Sequence, residues 1–126
     1  MSKQTPAPDG VVPPNAPYSP VVVDGDLVLT AGQVAFDERG ELVAGGVDAQ
    51  VRRALENLSA CLRVAGCGLE DVLKVTAFLA DLEDFPGYNE VYREFFAAPY
   101  PARTTVGASL PSGILVEIEA IARRPG

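Results

Sequence analysis

The pattern of apolar and polar residues changes its period along the chain, and each period indicates an element of secondary structure. Two short β-rich runs, 21–23 and 27–31, flank an Asp-Gly-Asp turn at 24–26, which is typical of a β-hairpin. A weak third strand is expected at 40–43, flanked by glycines. Residues 72–80 are rich in β-forming side chains and apolar on both faces, which indicates a buried strand.

A helical period begins near Asp48 and predicts the first of two helices. Asp48 is the expected N-cap, and Gly66 the residue just beyond the C-terminus. The apolar stripe of this helix is Val51, Leu55, Leu58 and Leu62, broadened by Ala54, Cys61 and Ala65. A second helix is expected from about Asp84 and ends before Pro99 and Pro101. Its buried stripe is Tyr88, Val91, Tyr92, Phe95 and Phe96.

Two further strands, 103–109 and 115–122, are predicted on either side of a Leu-Pro-Ser-Gly turn. The order of elements indicates an α+β fold, a mixed β-sheet with two helices on one face. Several strands carry apolar residues on both faces, so we expect the uncovered face to be buried against other subunits. The length of 126 residues suggests one domain, 1–126, in which the proline-rich residues 1–20 form an extended arm.

The composition excludes several classes of chemistry. The net charge is −7, and the few basic residues are dispersed, which argues against nucleic-acid binding. Histidine is absent, which rules out Ser-His or Cys-His nucleophiles and histidine metal sites. Cys61 and Cys67 fit no CxxC motif or disulfide framework, so we interpret them as buried thiols in a reducing compartment. No signal peptide or membrane span is recognisable, and a cytoplasmic location is expected.

Charged residues in the last two strands are the strongest indication of a site. If these strands pair as an antiparallel hairpin, Arg103 and Thr105 share a face with Glu117 and Glu119. One interpretation is a structural ion pair or a solvent-facing row. The other is a cleft in which Arg103 binds a carboxylate ligand while a glutamate activates a water. Strand alternation leaves open whether Glu117 or Glu119 lies nearer to Arg103.

Three further residues are weaker candidates. Gly32 can permit close approach of a ligand, but a bulge or bend explains it equally well. Asn89 lies beside the apolar stripe of the second helix, where a solvent-exposed asparagine would be ordinary. Tyr18 lies in the arm and could simply anchor it to the body of the protein.

Four stretches of the chain resemble the reactive-intermediate deaminase family (Rid, also called RidA/YjgF). They are APYSP (16–20), LTAGQV (29–34), VTAFLADLEDFPGYNEVYREFF (75–96) and PARTTVGASLPSGILVEIEAIA (101–122). The resemblance implies a chorismate-mutase-like α+β subunit and a homotrimer with ligand clefts between subunits. It also implies that Arg103 binds the substrate carboxylate and that Glu117 positions the attacking water. The arm tyrosine, strand glycine and helix asparagine of the family correspond to Tyr18, Gly32 and Asn89.

The activity implied by the resemblance is hydrolytic deamination of small enamine and imine acids, such as 2-aminoacrylate and 2-iminopropanoate. The products are a 2-oxo acid and ammonia, and no cofactor or metal is expected. Many members of the family have a cysteine where this chain has Thr105, which is expected to affect the substrate range. The alternatives are a trimeric protein that binds small carboxylates without turnover and an endoribonuclease or translation inhibitor.

Overall fold

The computed structural model describes residues 3–126. In this range the strands and α-helices follow in the order β1 (Val21–Asp24), β2 (Leu27–Thr30), α1 (Val47–Val64), β3 (Val72–Leu79), α2 (Phe85–Phe95), β4 (Ala102–Gly107) and β5 (Val116–Arg123). The predicted hairpin, both helices and the buried strand are confirmed, with shifts of one or two residues at their ends. Gly25 in the hairpin turn and Gly66 after α1 have positive φ angles of 63° and 83°, which explains glycine at both positions.

The strands form one mixed sheet in the order β1-β2-β5-β3-β4. Only the pair of β3 and β4 is parallel, and the other described pairs are antiparallel. At one edge of the sheet, Gln4 of the arm pairs with Val23 of β1. At the other edge, β4 pairs with β3 alone among the described strands.

Both helices pack on the same face of the sheet, which confirms the predicted α+β arrangement. Every second residue of β3 and β5 is buried in the core with the apolar stripes of the helices. Leu55, Leu58 and Tyr88 are fully buried there. Cys61 and Cys67 are free, buried thiols, as the sequence indicated.

The opposite face of the sheet carries apolar side chains with no helix over them. Leu29, Val106 and Ile121 are 37%, 39% and 37% exposed, although all three belong to strands. Burial of this face by other subunits therefore remains a prediction.

Two local predictions were wrong. Gly46 rather than Asp48 is the N-cap of α1, and no side chain caps this end. Asp48 lies instead in the first turn, where its carboxylate interacts favourably with the positive end of the helix dipole. Residues 40–43 form no strand, only an isolated bridge between Phe36 and Leu42. The Asp37 carboxylate accepts hydrogen bonds from two backbone N–H groups of this segment and holds it as a turn.

The predicted hairpin between the last two strands was also wrong, because β3 lies between β4 and β5. The connection 108–115 crosses the end of β3 instead of turning back on β4. The Gln50 side chain of α1 fixes this crossing, donating to the Gly113 carbonyl at 2.8 Å and accepting from the Leu115 N–H at 2.9 Å. As the central partner, β3 satisfies the backbone groups of both neighbouring strands along nearly its whole length.

Candidate functional site

Arg103 lies in β4 on the face of the sheet that the helices cover. It aligns with the fully buried Val75 of β3. Its guanidinium carbon is 5.5, 5.1 and 4.6 Å from the ring centroids of Phe85, Tyr88 and Tyr92. These three aromatic residues recur at helical spacing and present one face of α2 to the cation. Cation–π attraction of this kind orients a guanidinium without neutralising it.

A cavity of about 300 Å³ opens beside this guanidinium. It is lined by Asn89, Tyr92, Arg93, Tyr100, Pro101 and Arg103. No carboxylate lines the cavity, and within residues 3–126 none forms a salt bridge with Arg103. The planar fork of Arg103 is therefore available to an anionic ligand, and a carboxylate matches it in bidentate geometry.

Buried hydroxyl groups surround the same arginine. The hydroxyls of Tyr88, Tyr92 and Thr105 are inaccessible to solvent and have no hydrogen-bond partner among the described residues. Burial raises the pKa of Tyr88, and it raises the pKa of Tyr92 to about 12. Both phenols therefore stay protonated at neutral pH and keep an O–H group to donate.

Glu117 lies in β5 on the opposite, uncovered face, where it aligns with Phe78 of β3. Burial, and then the neighbouring charge of Glu119, raise the pKa of the Glu117 carboxyl. Gly32 is packed directly against it, since a Cβ atom at Gly32 would lie only 2.7 Å from Cδ of Glu117. Any larger residue at position 32 would displace the Glu117 carboxylate, so glycine allows the backbone to lie close to this side chain.

Tyr18 lies near Gly32, which contacts Glu117, and it is not among the residues that line the cavity beside Arg103. Its side chain is 53% exposed and lines a small cavity of about 70 Å³ together with Gly32. The segment after Gly32 is held by Asn57 of α1, whose amide donates to the carbonyls of Val34 and Phe36 at 2.9 and 3.0 Å. Asn57 is buried, and its place inside the apolar period of α1 was the signal that sequence reasoning missed.

The candidate residues thus form two groups on opposite faces of one sheet, and the predicted shared face was wrong. Arg103 aligns through Val75 with Ala120 of β5, so alternation directs Glu117 and Glu119 to the other face. The first group is Asn89, Arg103 and Thr105, and the second is Tyr18, Gly32 and Glu117. Within one chain the sheet separates Arg103 from Glu117.

Among residues 3–126 no three His, Cys, Asp or Glu side chains are grouped so that they could hold a metal ion. None of the described helices is both long and apolar enough to cross a bilayer.

Comparison with known proteins shows which family the chain belongs to. The family model described as Endoribonuclease L-PSP matches residues 10–124. A RutC family protein of Pyrococcus abyssi is 47% identical over 111 residues, covering 86% of this chain and 87% of the relative. The human 2-iminobutanoate/2-iminopropanoate deaminase is 41% identical over 108 residues, covering 84% of this chain and 79% of the relative.

The crystal structure of Escherichia coli TdcF with bound serine has the same fold. Its TM-score is 0.91 at 38% identity, with 98% of this chain and 100% of that chain covered. The family model spans nearly the whole chain, and the sheet order with two helices on one face is common to the structural relative. This chain belongs to the reactive-intermediate deaminase (Rid, RidA/YjgF) family.

Proposed function

We propose that the protein hydrolyses small 2-imino acids, and the enamines in equilibrium with them, to 2-oxo acids and ammonia. The observation that carries this proposal is the Arg103 guanidinium, held on three aromatic rings beside a cavity that contains no carboxylate. Such an arginine is ready to bind the carboxylate common to all these substrates. Relatives named 2-iminobutanoate/2-iminopropanoate deaminase support the same activity.

Arg103 binds the substrate carboxylate through two parallel hydrogen bonds, a charge-assisted contact worth about 1.5–3 kcal/mol net in total. Glu117 holds a water and accepts its proton as the oxygen attacks the imine carbon. Both protons of the water then pass to the imine nitrogen, the first by way of Glu117, so the C–N bond breaks, ammonia leaves and a C=O bond remains. No electrons are transferred, so this hydrolysis needs no redox cofactor. Binding both partners together lowers the entropic part of the barrier.

A second copy of the chain is part of the proposal, because Arg103 and Glu117 point to opposite faces of their own sheet. A complete site therefore takes the Arg103 group from one subunit and the Glu117 group from the next. The exposed apolar residues of the uncovered sheet face support association. The family resemblance implies that this assembly is a homotrimer with three such clefts.

Replacement of the arginine tests the activity. We expect Arg103→Ala to reduce kcat/KM for 2-iminopropanoate by roughly a hundredfold, the loss of about 2–3 kcal/mol of charge-assisted binding. The imine is generated by a lyase or oxidase, and its disappearance is followed by trapping with semicarbazide. Arg63→Ala is the matched control, since Arg63 is an exposed arginine in the last turn of α1 and does not line the cavity. Equal rates for wild type, Arg103→Ala and buffer would refute the deaminase proposal.

A second candidate function is binding of small carboxylates without turnover, which the bound serine of the relative TdcF favours. Thermal stabilisation of the protein by 2-oxobutanoate, lost in Arg103→Ala, would accompany both functions. Stabilisation without any acceleration of imine hydrolysis would favour binding alone.

A further inference from the structure

A second guanidinium lines the Arg103 cavity. Arg93 follows Asn89 by four residues in α2, so both side chains lie on the helix face that overhangs the cavity. The arginines paired with a carboxylate within residues 3–126 are Arg39, Arg52 and Arg123. Arg93 is not among them, although glutamates precede and follow it in the helix. Its charge is therefore free to act on a ligand in the cavity.

The charge of this cavity contrasts with that of the whole molecule. The chain has a net charge of −7, yet the cavity is lined by two cations and no carboxylate. A neutral amide, that of Asn89, also lines the cavity. One carboxylate on Arg103 would leave the Arg93 charge without a counterion among the residues of this chain that line the cavity.

We infer that the preferred substrates are 2-imino dicarboxylates, a class that deepens the deaminase proposal and rests on it. The carboxylate next to the imine binds Arg103, and the side-chain carboxylate binds Arg93. With 2-iminosuccinate, water replaces the imine nitrogen, giving oxaloacetate and ammonia with no change in oxidation state. Arg93 acts here as a specificity-determining residue, because it contacts the far end of the substrate.

The exposure of Arg93 limits how strongly its charge can favour a dicarboxylate over a monocarboxylate substrate. Ion pairs of exposed side chains are modest and are screened by salt. We therefore expect Arg93→Gln to lower the ratio of kcat/KM for the dicarboxylate to that for the monocarboxylate by about fivefold at low ionic strength. This difference decreases as salt is added, because the Debye length falls to about 8 Å at 0.15 M.

The experiment compares 2-iminosuccinate with 2-iminobutanoate, made in place by amino-acid oxidases with catalase present, in wild type, Arg93→Gln and Arg63→Gln. Arg63 is an exposed helix arginine outside the cavity and controls for loss of a surface charge. The ratio of kcat/KM values should fall in Arg93→Gln and stay at the wild-type value in Arg63→Gln. An unchanged ratio in Arg93→Gln, with both imines still hydrolysed, would overturn the inference and leave the deaminase proposal standing.

A binding measurement separates this inference from the deaminase proposal. Calorimetry gives the affinities of 2-oxoglutarate and 2-oxobutanoate, which need no turnover. The inference requires wild type to prefer 2-oxoglutarate and Arg93→Gln to lose most of that preference. No preference in wild type would overturn the inference. If wild type hydrolyses neither imine faster than buffer does, the deaminase proposal fails, and the binding preference still decides whether Arg93 recognises a second carboxylate.

Discussion

At the Arg103 side chain, aromatic rings stand where a carboxylate would ordinarily neutralise a half-buried guanidinium. The rings of Phe85, Tyr88 and Tyr92 orient the cation without neutralising its charge. The environment of Glu117 raises the pKa of its carboxyl, because burial and the charge of Glu119 disfavour the ionised form. A carboxylate with a raised pKa is a stronger base than an ordinary glutamate, as activation of a water requires.

The raised pKa of Glu117 leads to a prediction about pH. Glu117 acts as a base only when ionised, so kcat/KM falls as the pH drops through its pKa, at a higher pH than for an ordinary glutamate. Glu119→Gln removes the second cause of this shift, so the acid limb moves to lower pH. The measurement is the pH profile of kcat/KM for wild type and Glu119→Gln, after subtraction of uncatalysed hydrolysis. An acid limb that stays in place or moves to higher pH in Glu119→Gln would contradict this assignment.

At the scale of secondary structure, α1 does more than cover the sheet. Gln50 and Asn57 are buried polar residues on its packed face, and their amides bind the backbone of the segments that precede β5 and follow Gly32. A buried amide of this kind is stable only when its hydrogen bonds are satisfied. The helix therefore fixes the position of Gly32 and the path of the chain into the Glu117 strand.

The contribution of Gln50 can be measured as stability. Gln50→Leu keeps the volume but leaves the Gly113 carbonyl and the Leu115 N–H without their partner. We expect a decrease of about 1–3 kcal/mol in the free energy of unfolding, since both groups are partly buried. Glu56→Leu, at an exposed position of the same helix, should change it by less than about 0.5 kcal/mol. Urea unfolding of each variant at one fixed protein concentration gives the comparison, and equal stability of the Gln50 and Glu56 variants would refute this role.

For the whole molecule, local patterns predicted the elements better than their arrangement. The stripes of α1 and α2 and the turn at Gly25 follow from neighbouring residues, so periodicity was sufficient to find them. The pairing of β4 with β3 depends on residues far apart in sequence, and the adjacency of β4 and β5 suggested a hairpin that does not form. Strand alternation left Glu117 and Glu119 as equal candidates, and the family resemblance chose Glu117 and connected Tyr18 with the site. Arg93 was missed because an exposed arginine on a helix is ordinary until a cavity is seen beside it.

In the proposed assembly each site takes Arg103 from one subunit and Glu117 from another, and mixing two inactive variants tests this division directly. Arg103→Ala and Glu117→Gln are unfolded together in urea at equal concentrations, refolded, and assayed for hydrolysis of 2-iminobutanoate, with each variant refolded alone as control. Random assembly unites an intact arginine with an intact glutamate at roughly one site in four, so about a quarter of the wild-type activity should return. A mixed sample as inactive as either variant alone would contradict a site shared between subunits.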